Sequence, residues 1–315
     1  MLYSSERVIN LKIESAMSKG LSAILRASRA PFLVVFILPF VCGSLLEKGF
    51  FRWPRFWLGM GAVIFSTAGA NMLNEYADSK SRADWQDTRR YQFFGGSKLI
   101  QEGIRSEGFV LSGALVCFIL ATLLVFGLTL MLKNTRTLLY YAVVIFFAYT
   151  HSGAPFRFSY RRLGEVLIFL LCGPALFMGA HFIQTGIFPS VRSFFLSLPF
   201  GLLTTAVLFA NEVPDFSEDA RVSKYNWVSI SGPAKAYLLY EFIIILAFTA
   251  IAINVALEYL NPFSLFALPC LFVSFAAARI LKKNFRDKNA LAVSSLLTII
   301  VHHVTGLILI LSFIL

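Results

Sequence analysis

Long apolar runs, separated by short polar connections, are the feature that most constrains this chain. Several of these runs reach the roughly 20 residues that a helix needs to cross the hydrocarbon core of a bilayer. The chain has 315 residues, of which 57% are hydrophobic and only 14% are charged, so it has no polar face to present to water. These features predict an all-α, polytopic membrane protein without a separate soluble domain.

Nine transmembrane helices are predicted from the apolar runs. Their approximate bounds are residues 31–46, 57–77, 109–132, 137–151, 165–186, 194–212, 237–257, 262–280 and 291–315. The fifth contains Gly173 followed by Pro174, and it should kink there because proline removes a helix hydrogen bond. Residues 1–28 lack the features of a signal peptide and are expected to form a cytoplasmic, interfacial segment. Residues 29–315 would then form the nine-helix domain.

The distribution of lysine and arginine predicts the orientation, because cytoplasmic connections carry an excess of these residues. The N-terminal segment and the connections after the even-numbered spans hold all but six of the 28 basic residues. The exceptions are Lys48, Arg52, Arg55, Lys133, Arg136 and Arg192. We therefore expect a multi-pass protein of the cell's inner (cytoplasmic) membrane, with its N-terminus inside and its C-terminus outside. This topology accounts for the formal charge of +11 without a nucleic-acid partner.

Two acidic stretches follow corresponding spans on the predicted cytoplasmic side. The first stretch, residues 71–103, follows the second span and contains Asn74, Asp78, Asp84 and Asp87. The second, residues 211–224, follows the sixth span and contains Asn211, Asp215 and Asp219 at four-residue steps. Residues four apart share a face if the helix continues through them. The arrangement predicts two related halves around a central cavity, each presenting Asn and Asp at a helix end.

The donor groups of these stretches favour a particular metal and ligand. Carboxylate and amide oxygens without nearby histidine or cysteine suit Mg²⁺, which commonly shares its coordination with substrate phosphates. Two facing clusters could bracket a diphosphate, and Lys98 and Lys224 lie where they could neutralise its oxygens. Gly95 and Gly96 would let a loop backbone approach closely. The surrounding sequence is rich in Phe and small residues, as a polyisoprenoid tail requires.

These motifs resemble those of the UbiA superfamily of intramembrane aromatic prenyltransferases. The sequence NEYAD at residues 74–78, followed by Asp84, is similar to the family's first Asp-rich motif. The sequence NEVPD at residues 211–215, followed by Asp219 and Lys224, is similar to its second. The resemblance covers almost the whole chain, including the expected nine helices.

A middle segment indicates a branch of that superfamily. Residues 149–165, YTHSGAPFRFSYRRLGE, resemble the pattern of the 1,4-dihydroxy-2-naphthoate polyprenyltransferases of menaquinone biosynthesis. The 4-hydroxybenzoate and haem O branches usually carry a Lys-Arg pair after the tyrosine, where this chain has Gly153 and Ala154. The chain departs from the superfamily's common residues at Glu75, Arg162 and Ser223.

The resemblance implies a Mg²⁺-dependent enzyme that transfers a polyprenyl group from polyprenyl diphosphate to an aromatic acceptor, here 1,4-dihydroxy-2-naphthoate. It implies that the metal is held by Asp78, Asp84, Asp215 and Asp219. It implies substrate contacts from Asn74, Lys98, Asn211, Lys224 and Arg157. Ionisation of the diphosphate would leave an allylic cation, which the acceptor ring attacks. Asp78, Asp215 and Tyr149 are the candidate catalytic residues, with Tyr149 shaping the acceptor pocket or steadying the cation by an attraction of about 0.5–2 kcal/mol.

Three alternatives remain open at the level of sequence. The acceptor could be 4-hydroxybenzoate, another aromatic compound or a lipid alcohol. Intramembrane carboxylates also mark ion pathways, so an ion-coupled transporter is a rival class. Transporters more often bury acidic residues within spans, whereas here only Glu165 and Glu241 do not lie in connections or at helix ends. The third alternative is a family member that has lost activity and serves as a scaffold. The two intact acidic clusters argue against this alternative.

Overall fold

Helices form nearly all of the regular structure in the described part of the chain. A computed structural model describes residue 20, residues 22–85, residue 87 and residues 89–315, without the side chains of Pro31 and Asp84. The predicted interfacial segment, residues 1–28, therefore lies mostly outside the described residues. Its boundary with the helical domain stays a prediction.

Nine helices in the described residues coincide with the nine predicted spans. They are α1 (Leu33–Leu45), α2 (Trp53–Ser81), α3 (Glu107–Leu132), α4 (Arg136–Ser152), α5 (Gly164–Thr185), α6 (Val191–Arg221), α7 (Ala236–Ala256), α8 (Cys270–Asn284) and α9 (Lys288–Ile314). Seven segments of the described residues are long and apolar enough to cross a membrane: α2, α3, α5, α6 and α9, together with α7 and α8 when each includes the short 3-10 helix before it, as Pro233–Ala256 and Pro262–Asn284. The all-α, multi-pass fold is thus confirmed. Because α1 has 13 residues and α4 has 17, the number of nine crossings stays a prediction.

Helices α2 and α6 extend beyond their predicted ends. Helix α2 continues through the beginning of the first acidic stretch to Ser81, and α6 continues through most of the second stretch to Arg221. Pro214 therefore lies inside α6 and does not terminate it. The extension matters because it places Asn and Asp residues on successive helical turns, with their side chains on a common face.

The predicted irregularity in the fifth span is present in α5. Residues Leu171–Ala175, which include Gly173 and Pro174, form one wide π-type turn within the helix. The missing N–H of proline prevents the regular helical hydrogen-bond pattern there. Gly173 also allows a close approach to α6, since a Cβ atom at this position would lie 2.7 Å from the Cα of Gly201. The turn therefore lies where α5 packs closely against α6.

Two groups of buried apolar residues support the acidic stretches. The larger one joins α1 and α6 to α7, α8 and α9. A smaller one packs Leu99 and Ile100, from the connection after α2, against Met72 of α2 and Val110 of α3. This packing anchors the segment that follows Gly95 and Gly96, so the glycine loop is held against the end of α2.

Candidate functional site

Residues of α1 to α6 line a cavity of about 360 Å³. Both acidic stretches open onto it, near the C-terminal ends of α2 and α6. The polar lining includes Asn74, Asp78, Asn211, Glu212, Asp215, Asp219 and Lys224. Residues from earlier turns of α2 and α6, together with α1, α3, α4 and α5, supply a mostly apolar remainder that includes Phe40, Leu128 and Phe182. The cavity therefore combines a charged end with an apolar interior.

Lys224 joins the two acidic stretches by ionic contacts. Its Nζ lies 3.4 Å from Oδ2 of Asp78 on α2 and 3.4 Å from Oδ1 of Asp219 on α6. All three side chains are largely buried. Buried charges are costly unless they are paired, so this ammonium group compensates carboxylates from both halves. The predicted convergence of the two stretches is present in the structure.

Asp78 also accepts hydrogen bonds from its own helix and from the connection between α4 and α5. The Asn74 Nδ2 donates to Asp78 Oδ2 over 3.0 Å, one helical turn away on α2. The Tyr160 hydroxyl, from the connection between α4 and α5, donates to Asp78 Oδ1 over 2.9 Å. Burial, reinforced by the Asp78 carboxylate, raises the pKa of the Tyr160 phenol. The phenol therefore stays a hydrogen-bond donor at neutral pH.

The glycine loop reaches the second acidic stretch through its backbone. The Gly95 N–H donates to Asp215 Oδ2 over 2.9 Å. Gly95 and Gly96 both have a φ of +75°, in the left-handed region that favours glycine. Glu75, which is fully buried, accepts bonds from the Ser97 N–H at 2.8 Å and the Ser97 hydroxyl at 2.6 Å. Glu75 therefore secures the loop and does not line the cavity with Asp78.

Among the described residues, three predicted site residues do not line this cavity. Lys98 is buried and lines a small adjacent pocket with Asp215 and Asp219. The Arg157 guanidinium lies over the Tyr160 ring, 5.6 Å from its centroid. Tyr149 is 40% exposed, and its hydroxyl donates to the Ala154 carbonyl over 2.5 Å. Tyr149 therefore lies outside the described cavity lining, and Tyr160 is the tyrosine that contacts Asp78. The role of Tyr149 in the acceptor pocket stays a prediction.

The end of the first acidic stretch is only partly described, since the Asp84 side chain lies outside the described residues. Asp87 binds Lys288 of α9 at 2.9 Å, and the same Nζ lies 3.0 Å from Glu218 of α6. Burial alone would raise the pKa of Asp87, but hydrogen bonds from Lys288 and the Arg89 N–H bring it below its usual value. Asp87 thus helps to attach this stretch to α6 and α9.

The cavity wall also contains an arginine, a histidine and a glutamate that were not identified as site residues from the sequence. They are Arg29, His151 and Glu212. Arg29 resembled a topology determinant. His151 lies in the segment at residues 149–165 and Glu212 in the second acidic stretch, but neither belonged to a motif of its own. The side-chain Oδ1 of Asn211 and Oε2 of Glu212 are buried without a hydrogen-bond partner among the described residues. Such atoms are costly in an apolar interior unless a ligand or ion binds them.

The donor chemistry of the lining fits a hard divalent cation. In the described part of the chain, no three His, Cys, Asp or Glu side chains are close enough to hold a metal ion as they stand. The carboxylates of Asp78, Asp215 and Asp219 and the unpartnered amide oxygen of Asn211 nevertheless line one cavity. Oxygen donors of this kind are the ligands that Mg²⁺ prefers. The three carboxylates outnumber the two basic residues described at the charged end, Arg29 and Lys224.

Comparisons with known proteins agree with this architecture. The model of the UbiA prenyltransferase family matches residues 36–300. The UbiA prenyltransferase domain-containing protein 1 of Gallus gallus is 27% identical over 237 residues, which cover 75% of this chain and 67% of that protein. The 1,4-dihydroxy-2-naphthoate octaprenyltransferase of Mycobacterium tuberculosis is 26% identical over 202 residues, covering 62% of this chain and 64% of that enzyme. This chain thus spans about two thirds of the length of each relative.

Solved structures show the same fold. The structure of a UbiA homologue from Archaeoglobus fulgidus, bound to DMAPP and Mg²⁺, aligns with a TM-score of 0.61 and 14% sequence identity. The alignment covers 91% of this chain and 98% of that one. At this level of identity the likeness establishes the arrangement of helices.

Proposed function

This chain belongs to the UbiA prenyltransferase family, and we propose that it transfers a polyprenyl group from polyprenyl diphosphate to an aromatic acceptor, with Mg²⁺ as cofactor. The observation that carries the proposal is the convergence of Asp78, Asp215 and Asp219, from two separate helices, on one cavity with an apolar interior. Family membership also favours an enzyme over an ion-coupled transporter.

The charged end of the cavity is suited to a prenyl diphosphate head group. Asp78, Asp215 and Asp219, together with Asn74 and Asn211, are the residues that would hold Mg²⁺. Bound there, the metal would supply charge neutralisation for the diphosphate and make it a better leaving group. Lys224 and Arg29 line the same end and can pair with phosphate oxygens. We keep Asp84, Lys98 and Arg157 as proposed contributors near this end.

Hydrogen bonds keep the key carboxylate in position. The Tyr160 hydroxyl and Asn74 amide each occupy one oxygen of Asp78, so the carboxylate has little rotational freedom. Such preorganisation lowers the reorganisation needed when charge develops in the transition state. The apolar interior excludes water, which would otherwise capture an allylic cation.

We propose 1,4-dihydroxy-2-naphthoate as the acceptor. The segment at residues 149–165 supports it, as does the similarity to a relative named as a 1,4-dihydroxy-2-naphthoate octaprenyltransferase. An acceptor such as 4-hydroxybenzoate remains the alternative, and the UbiA prenyltransferase domain-containing relatives carry no acceptor in their name. We further propose that the charged end of the cavity faces the cytoplasm, from the distribution of basic residues.

Prenyl transfer by the purified chain tests this function. Geranylgeranyl diphosphate is supplied with either 1,4-dihydroxy-2-naphthoate or 4-hydroxybenzoate, with Mg²⁺ or with EDTA, and products are identified by mass spectrometry. We expect Mg²⁺-dependent prenylation of the naphthoate, reduced about 100-fold or more by Asp215→Asn. The matched control Glu258→Gln changes an exposed carboxylate between α7 and α8 and should retain full activity. Undiminished transfer by Asp215→Asn would refute the role of the carboxylates, and transfer only to 4-hydroxybenzoate would refute the acceptor.

A further inference from the structure

Two polar atoms without partners among the described residues lie at the junction of α4 and α5. They are His151 Nε2, at the end of α4, and Ser159 Oγ, in the connection that follows. Both residues line the cavity, and both atoms are buried without a hydrogen-bond partner among the described residues. A Cβ atom added to Gly164 would lie 3.4 Å from His151 Nε2 and 3.3 Å from Ser159 Cβ. Because Gly164 has no side chain, His151 and Ser159 can both pack closely against the start of α5.

The hydrogen-bond network determines which nitrogen of His151 carries the proton. Asn74 donates its Nδ2 to the Asp78 carboxylate, so its Oδ1 must face Ser152. Ser152 Oγ lies 2.6 Å from that Oδ1 and donates its single proton to it. His151 Nδ1 lies 3.0 Å from the same Ser152 Oγ, which can then only accept, so Nδ1 is the protonated nitrogen. Nε2 of the neutral ring is left as a hydrogen-bond acceptor.

We propose that His151 Nε2 accepts a hydrogen bond from a hydroxyl group of the aromatic acceptor, with Ser159 as the second polar group of this subsite. The proposal rests on the prenyltransferase function. A lone pair on Nε2 binds a hydroxyl group and repels a carboxylate, so the subsite selects the hydroxyl end of the acceptor. Because Ser152 and Asn74 link His151 to Asp78, the same network sets the acceptor beside the group that contacts the prenyl diphosphate end of the cavity.

Two conservative variants separate this contact from a structural role. In His151→Asn the side-chain amide can still donate to Ser152, but it no longer reaches the position of Nε2. We expect kcat/KM for 1,4-dihydroxy-2-naphthoate to fall about 2-fold to 12-fold, the effect of one neutral hydrogen bond, with KM for geranylgeranyl diphosphate unchanged. Ser159→Ala should show the same pattern. His181→Asn, which alters a buried histidine outside the described cavity lining, is the matched control and should change neither parameter.

Acceptor analogues then test the hydrogen bond itself. With the wild type, kcat/KM for one of the two monomethyl ethers of the naphthoate should be lower than for the parent by about the same factor that His151→Asn causes. With the variant, kcat/KM for that ether should fall no further. If His151→Asn lowered kcat/KM for the ether as much as for the parent naphthoate, the proposal would be overturned. It would also be overturned if the effect of the variant disappeared with the methyl ester of the carboxylate and not with the ether. Failure of the wild type to prenylate any tested aromatic would instead refute the proposed function, so the two failures are distinguishable.

Discussion

Replacement of Lys224 by methionine tests whether the two acidic stretches depend on a shared counter-charge. Lys224 Nζ lies 3.4 Å from one oxygen each of Asp78 and Asp219. At an effective dielectric constant of about 20, each contact corresponds to a gross attraction of roughly 5 kcal/mol before the cost of desolvation. Methionine retains most of the apolar stem but removes the charge. The variant therefore leaves two largely buried carboxylates to repel each other.

We expect Lys224→Met to lower the free energy of unfolding by about 3–5 kcal/mol, the usual cost of removing one partner from a buried pair. For a chain of this size, that loss corresponds to a Tm decrease of roughly 5–8 °C in detergent. The Tm is measured in EDTA and again with Mg²⁺. Added Mg²⁺ should raise the Tm of the variant by more than it raises that of the wild type, because the uncompensated carboxylates bind a cation more strongly.

Two controls make this measurement decisive. Lys235→Met removes an exposed lysine from the connection before α7 and should change Tm by little. The double variant Lys224→Met with Asp219→Asn removes one charge of each sign and should recover part of the lost stability. An unchanged Tm for Lys224→Met in EDTA would show that Lys224 does not compensate these carboxylates, and it would refute the reasoning.

Two further predictions concern tyrosines and the first acidic stretch. Tyr160→Phe removes a hydrogen bond to the Asp78 carboxylate and should lower kcat/KM for the prenyl diphosphate about 10-fold to 150-fold. Tyr149→Phe should leave kcat/KM unchanged, because among the described residues this hydroxyl bonds only the Ala154 carbonyl. Equal kinetic effects of the two variants would contradict the assignment. The lowered pKa of Asp87 contributes stability that is fully present above its unfolded pKa of about 3.9 and is lost as pH falls through the lower folded value. Asp87→Asn should therefore lower Tm at pH 6 but not at pH 2, and a decrease of the same size at both values would exclude this ionisation as the cause.

The predicted spans agree with the helices because long apolar runs constrain a chain strongly. The third predicted span, residues 109–132, differs from Glu107–Leu132 by two residues at one end. Larger differences occur at α2 and α6, which continue into the acidic stretches. There the residues are polar, so the end of hydrophobicity no longer coincides with the end of the helix. The rotation of these extra turns decides which carboxylates reach the cavity.

Side-chain partners across the site were predicted less well. Glu75 and Asp78 lie three residues apart on α2, yet one carboxylate binds Ser97 and the other binds Tyr160. The choice between Tyr149 and Tyr160 depended on the course of the connection between α4 and α5. Such contacts join residues far apart in the chain, and no local pattern encodes their distance.

The sequence by itself determined that this protein is a helical membrane protein and that Asn and Asp residues are concentrated at the ends of two corresponding helices. Hydrophobic length and residue chemistry are local properties, so they can be read along the chain. Only the tertiary structure decided that Lys224 lies between Asp78 and Asp219, that Glu75 secures the glycine loop, and that the cavity-lining His151 has a buried Nε2 without a partner among the described residues. These facts depend on how the helices are rotated and packed against one another, which is a property of the whole fold.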